Sequence, residues 1–121
     1  MNPKILIVDD SNRWVLYHKD AVLQIFNQNV EIDTAFSAKE GVERVTASID
    51  EPYDIILTDM QMEPDFLPLY AGEWFIKQIK FFNEYKNTKI IIISIHRDSL
   101  TCIVYHRFGS LFKAMHNFNY N

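Results

Sequence analysis

Cysteine is nearly absent, with Cys102 standing alone. A single thiol excludes an internal disulfide framework and suits a reducing compartment, so the expected location is cytoplasmic. Glycine and proline are scarce, at 3 and 4 residues, which predicts few and short loops. No apolar run approaches the ~20 residues that a membrane span needs. A first strand beginning at Lys4 is expected to leave no room for a signal peptide. There is no basic run and no low-complexity tract, and the formal net charge is −4. Neither a nucleic acid nor an anionic membrane is therefore an expected partner. With 121 residues and 48% hydrophobic content, there is apolar material for one compact domain, residues 1–121.

What the chain does have is a set of short, unbroken apolar runs. Lys4 to Val8, Ile55 to Thr58 and Ile90 to Ile93 lack polar alternation, the pattern of strands buried on both faces of a parallel sheet. Val30 to Ala35 alternates instead, with Glu31 and Asp33 between apolar neighbours, as an edge strand with one wet face does. Helical spacing fills the gaps. Trp14, Tyr17, Ala21, Val22, Ile25 and Phe26 share one face of a helix capped by Asp10 or Ser11 and running to about Gln28. Ser37-Ala38-Lys39-Glu40 reads as a capping box that opens a second helix, to about Ala47.

After the run ending at Thr58 and Asp59 comes the longest loop, Met60 to about Ala71, with Pro64 and Pro68 inside it. A third helix is expected from Gly72 to about Asn83, with Phe75, Ile76, Ile79 and Phe82 inward. Lys89 to Ser94 is the fourth strand. Asp98 or Ser99 is expected to cap a fourth helix ending near Gly109, and Ser110 to Met115 to form a fifth strand. Alternating strands and helices imply right-handed crossovers and an α/β, doubly wound parallel sheet.

Two of the buried-type strands end in acid. Asp9-Asp10 follows the first, and Asp59 ends the third. If those strands are neighbours, about 4.8 Å apart, three carboxylates meet at the carboxyl edge, where open α/β sheets bind ligands. Such charges repel one another and require a cation or a raised pKa. A hard divalent ion with oxygen ligands, Mg²⁺ above all, answers that requirement.

Ile5-Leu6-Ile7-Val8-Asp9-Asp10-Ser11, Asp54 to Met62 and Ile90-Ile91-Ile92-Ile93-Ser94 together resemble the receiver domain of two-component response regulators. Gly72 to Lys80 resembles that family's third helix, so the likeness spans nearly the whole chain. It implies a flavodoxin-like five-stranded parallel sheet, order 2-1-3-4-5, of (βα)5 type with the last helix missing. It also implies phosphorelay signalling. Asp59 would accept a phosphoryl group from a histidine kinase or phosphotransfer protein. Mg²⁺ would be held by Asp9, Asp10, Asp59 and the Gln61 backbone carbonyl, and Ser94 would bond the new phosphoryl group.

The departures from that family are as specific. Its strand-5 lysine falls, by count from Gly109-Ser110, at His116-Asn117. Lys113 lies one turn of sequence earlier and would serve only with a shortened strand. A protonated His116 would be a weaker, pH-sensitive substitute. His96 follows Ser94 by two residues, with Ile95 between where the family has a small side chain. Few residues remain for a fifth helix, which would leave helix 1 and the last strands with an open apolar face. A homodimer or a partner protein is the expected cover. Three functions follow: a receiver without an output domain, a phosphate-independent pseudo-receiver acting as a binding module, and a Mg²⁺-dependent phosphohydrolase. The last is disfavoured because Gln61 stands where such hydrolases carry an acid/base aspartate.

Overall fold

The apolar runs become strands of one sheet, and the amphipathic stretches become helices on both of its faces. The computed structural model describes residues 2–62, 70–96, 99–105 and 111–119, with side chains described as far as Ser94. The order is β1 (Lys4–Val8), α1 (Asn12–Ile25), β2 (Glu31–Ala35), α2 (Ala38–Ala47), β3 (Ile55–Asp59), α3 (Ala71–Ile79), β4 (Lys89–His96), β5 (Ser99–Tyr105) and β6 (Leu111–Asn119). A single 3-10 turn, Asn83–Tyr85, precedes β4. The sheet runs β2-β1-β3-β4-β5-β6. Its first four members are mutually parallel. No helix among the described residues is long and apolar enough to cross a membrane.

Local chemistry explains most boundaries. Ser11 caps α1 by accepting the Trp14 N–H at 3.4 Å. Past its end, Asn27 and Gln28 take positive φ angles of 50° and 67°, which stop the helix before β2. Ser37 caps α2 through the Glu40 N–H at 3.0 Å. The Glu40 carboxylate reaches back to the Phe36 N–H at 3.2 Å, one residue before the usual capping-box donor.

Strand periodicity divides the core. Leu6, Val8, Ile56, Ile90 and Ile92 pack with Phe75, Ile76, Ile79 and Val45 on the α2–α3 face. Ile5, Ile7, Ile55 and Leu57 pack with Val15 and Val22 of α1 on the other. The register is locked at the amino edge by Asp54. Its N–H donates to the Lys4 carbonyl at 2.7 Å, and its carbonyl accepts the Lys89 N–H at 3.0 Å. Its carboxylate accepts the Lys4 N–H at 2.8 Å, so one residue ties β1, β3 and β4 together.

The chain departs from the expected order after β4. Where a fourth helix was expected, from Asp98 or Ser99 to near Gly109, the described residues form β5, antiparallel to β4. The expected fifth parallel strand, Ser110 to Met115, falls largely in β6, which is antiparallel to β5. The physical reason is in Thr101, Ile103, Val104 and Tyr105. They are β-branched or aromatic, and neither Thr101 nor Cys102 is the Glu or Gln that would complete a capping box begun at Asp98 or Ser99. Only two residues separate β4 from β5, so the open edge of β4 pairs with the chain's next segment. The third helix is also shorter than expected, ending at Ile79. Pro64, Pro68 and Gly109 lie outside the described residues.

Phe75 is fully buried between α2 and α3, whereas Phe81 is 82% exposed. Phe75→Ala is therefore expected to cost about 3–5 kcal/mol of unfolding free energy in a urea titration. Phe81→Ala should stay within about 0.5 kcal/mol of the parent.

Candidate functional site

The register of β1 against β3 pairs Val8 with Thr58, so the next residues out, Asp9 and Asp59, emerge side by side at the carboxyl edge. Ligand oxygens of Asp9, Asp10 and Asp59 all lie within 4.8 Å of one another. With Ser11, Gln61 and Ser94 they line a cavity of about 230 Å³. The structure thus brings together five of the residues expected from sequence: Asp9, Asp10, Asp59, Gln61 and Ser94.

Each wall is held by backbone bonds. The Asp9 N–H donates to the Ala35 carbonyl at 3.1 Å. Its carboxylate accepts the Ser11 N–H at 3.0 Å, an Asx-type turn that joins β1 to α1. Asp59 accepts the Gln61 N–H at a longer 3.4 Å. The Met60 N–H donates to the Ile93 carbonyl at 3.2 Å, keeping the end of β3 beside β4 and Ser94.

Two positions were not singled out for this site by sequence. The Gly72 N–H donates to the Met60 carbonyl at 2.9 Å. A Cβ there would collide with the Asp59 carbonyl oxygen and stand 2.7 Å from Met60 Cα. Glycine lets α3 start against the end of β3, a close approach that a sequence signals only as a glycine at a helix start. Trp14, read from sequence as a core residue of the first helix, lines the acid cavity. Its place four residues after Asp10, one turn into the helix that follows the acids, is the signal that was available.

The electrostatics are those of crowded anions. Asp59 is pushed up to about 7, first by burial, then by the charge of Asp9 and, less, of Asp10. Asp9 is pushed up to about 6, mainly by burial and against the Ser11 hydrogen bond. These residues fit a hard cation. Octahedral Mg²⁺ at ~2.1 Å from each oxygen sets oxygens roughly 3–4.2 Å apart, so small side-chain movements close the set. Thr58, buried beneath, donates its hydroxyl to the Asp59 carbonyl at 3.1 Å and offers the cavity no charge.

His116 lies in β6, opposite Cys102 of β5, which in turn pairs with Ile93 of β4. That is the level of the site, but two strands and roughly 10 Å of sheet away from β4. The side chains of His116, Lys113, Ile95 and His96 lie outside the described residues.

The raised acids give a signed pH dependence. Between the ordinary carboxylate pKa and about 7, the folded chain holds protons that the unfolded chain releases, so their contribution makes stability fall as pH rises. Buried His18, whose pKa is lowered, costs stability only as pH drops below its ordinary value. At pH 8 without metal, Asp59→Asn is expected to raise the melting temperature, with the gain fading toward pH 4. Millimolar Mg²⁺ should stabilise the parent and leave Asp59→Asn nearly unmoved; calorimetry reads both. Compared with known proteins, the chain matches no family model and no curated protein.

Proposed function

We propose that this chain is a receiver that takes a phosphoryl group on Asp59 from a phosphohistidine of a kinase or phosphotransfer protein, in a cytoplasmic phosphorelay. The observation that carries this reading is the convergence of Asp9, Asp10, Asp59 and Ser94 in one small cavity at the carboxyl edge of parallel strands. The order of the four parallel strands is also compatible with the flavodoxin-like sheet of such receivers. An Asp59 carboxylate oxygen attacks phosphorus, the phosphorus–nitrogen bond breaks, and the electron pair leaves with the imidazole. The product is an acyl phosphate on Asp59. Asp9, Asp10, Asp59 and the Gln61 carbonyl are the ligands for Mg²⁺, which when bound supplies the positive charge that lets anions meet. Ser94 donates its hydroxyl to the transferred group. The chain acts as a phosphoacceptor, not a turnover enzyme, since Gln61 offers no acid/base carboxylate.

A second reading has its own observation. The strand beside β4 runs antiparallel and sets Thr101 opposite Ser94, with no lysine at that level. A pseudo-receiver that binds a partner without phosphate would tolerate that loss. Incubation with Mg²⁺ and acetyl phosphate separates the two. The receiver reading expects a mass gain of one phosphoryl group, mapped to Asp59 and absent in Asp59→Asn. An unchanged mass in folded, Mg²⁺-bound protein would overturn it in favour of the binding module.

A further inference from the structure

Trp14 differs in kind from the rest of the acid cavity. The other described lining residues carry a carboxylate, a hydroxyl or an amide, groups that serve a metal ion or a phosphoryl group. An indole serves neither. The face of its ring carries partial negative charge, so it offers nothing to phosphoryl oxygens. Core packing does not account for it either. Trp14 is half-buried and belongs to neither of the two apolar clusters formed by the described residues. Yet the ring is held firmly. It stacks on His18, with centroids 5.8 Å apart and planes at 26°. Tyr17 meets it edge-on, at 5.4 Å and 80°. Both braces come from the same helix, three and four residues on, and His18 is buried, so the stack is anchored in the fold.

What a fixed aromatic wall does recognise is a flat ring or a cation. A phosphohistidine donor brings both in one group. We propose that Trp14 selects the phosphoryl donor, by packing on the imidazole of the incoming phosphohistidine while Asp59 attacks phosphorus. The assignment rests on the receiver reading and adds to it the residue that recognises the donor. The reactive donor ring carries a proton on its second nitrogen, so it is cationic while phosphorus is attached. An Asp59 oxygen bonds to phosphorus, the phosphorus–nitrogen bond breaks, and its electron pair returns to the ring. Neutral imidazole leaves with the proton it brought. A cavity of about 230 Å³ leaves no wall out of reach of a group that enters it, so Trp14 and the acids meet the same donor. An acyl phosphate offers that wall nothing, because its leaving group is an anion without a ring.

The test compares two small donors on the full chain with saturating Mg²⁺. N-phosphoimidazole releases imidazole, and acetyl phosphate releases acetate. Intact mass follows the phosphoryl gain and yields a second-order rate constant for each donor. The ratio of the two constants is the readout, because a change in folding or metal occupancy slows both donors alike and cancels. Trp14→Leu is expected to lower the ratio of phosphoimidazole to acetyl phosphate about fivefold. Trp14→Phe, which keeps a ring, should hold it within about twofold of the parent. A ratio unmoved by Trp14→Leu would overturn the proposal and leave the indole as packing for α1. An equal fall in Trp14→Phe would overturn it too, since a ring would not then be what the donor meets. No mass gain from either donor, in folded, Mg²⁺-bound parent, would remove the receiver reading and the role of Trp14 together. A gain with an unmoved ratio removes only the latter.

Discussion

The parallel register of β1 against β3 is the constraint on which the site depends. Four residues of each strand run level, Ile5 to Val8 against Ile55 to Thr58, and the acids follow where the ladder ends. A slip of one residue would turn Asp59 to the opposite face from Asp9, because strand side chains alternate. Two devices oppose that slip. The sandwiched apolar runs bury different residues on the two faces, and Asp54 ties three strands at the end farthest from the acids. The position of a carboxylate is therefore decided some 5 residues away, by a different aspartate.

That register concentrates like charge where burial has removed the water that would screen it. The result is two aspartates whose pKa values rise toward neutrality, one with a second carboxylate as a leading cause. A fold that keeps such a cluster gives up stability unless something positive enters, which is a common signature of functional positions. The same edge is tight sterically. Gly72 lets the first turn of α3 touch the end of β3, so Asp59 is fixed by backbone on two sides before any side chain is considered.

Much of this was legible in the residues. The runs Ile5–Val8, Ile55–Thr58 and Ile90–Ile93 announced buried parallel strands because no polar residue interrupts them, and the acids at their ends announced the edge. The caps at Ser11 and Ser37 formed as their side chains predicted. The segment after β4 was not legible in the same way. Ser99 to Tyr105 carries both a plausible helix cap and a β-branched run, and short apolar stretches do not distinguish helix from strand by period alone. Tertiary pairing decided: β4 had a free edge, and the seven residues of β5 took it. Gly72 and Trp14 were hidden for another reason, since close backbone approach and cavity lining depend on neighbours distant in sequence.

The antiparallel end also changes the electrostatics of the edge. In a parallel sheet every strand delivers its last residues there, so a basic side chain ending the fifth strand would sit beside Ser94. Here β5 runs the other way and brings its first residues to that edge, with Leu100 and Thr101 level with Ile95 and Ser94. The next strand that ends at the edge, β6, is one strand farther out, beyond the ~4.8 Å spacing at which neighbouring strands meet. Neutral residues therefore separate the acid cavity from His116. Coulomb attraction weakens with distance and is screened by salt, so a charge two strands away offsets little of the repulsion among Asp9, Asp10 and Asp59. A cation held directly by the three carboxylates acts at about 2 Å instead. No basic side chain is among the described residues that line the acid cavity, so under the proposed receiver reading a bound cation would balance the three carboxylates there.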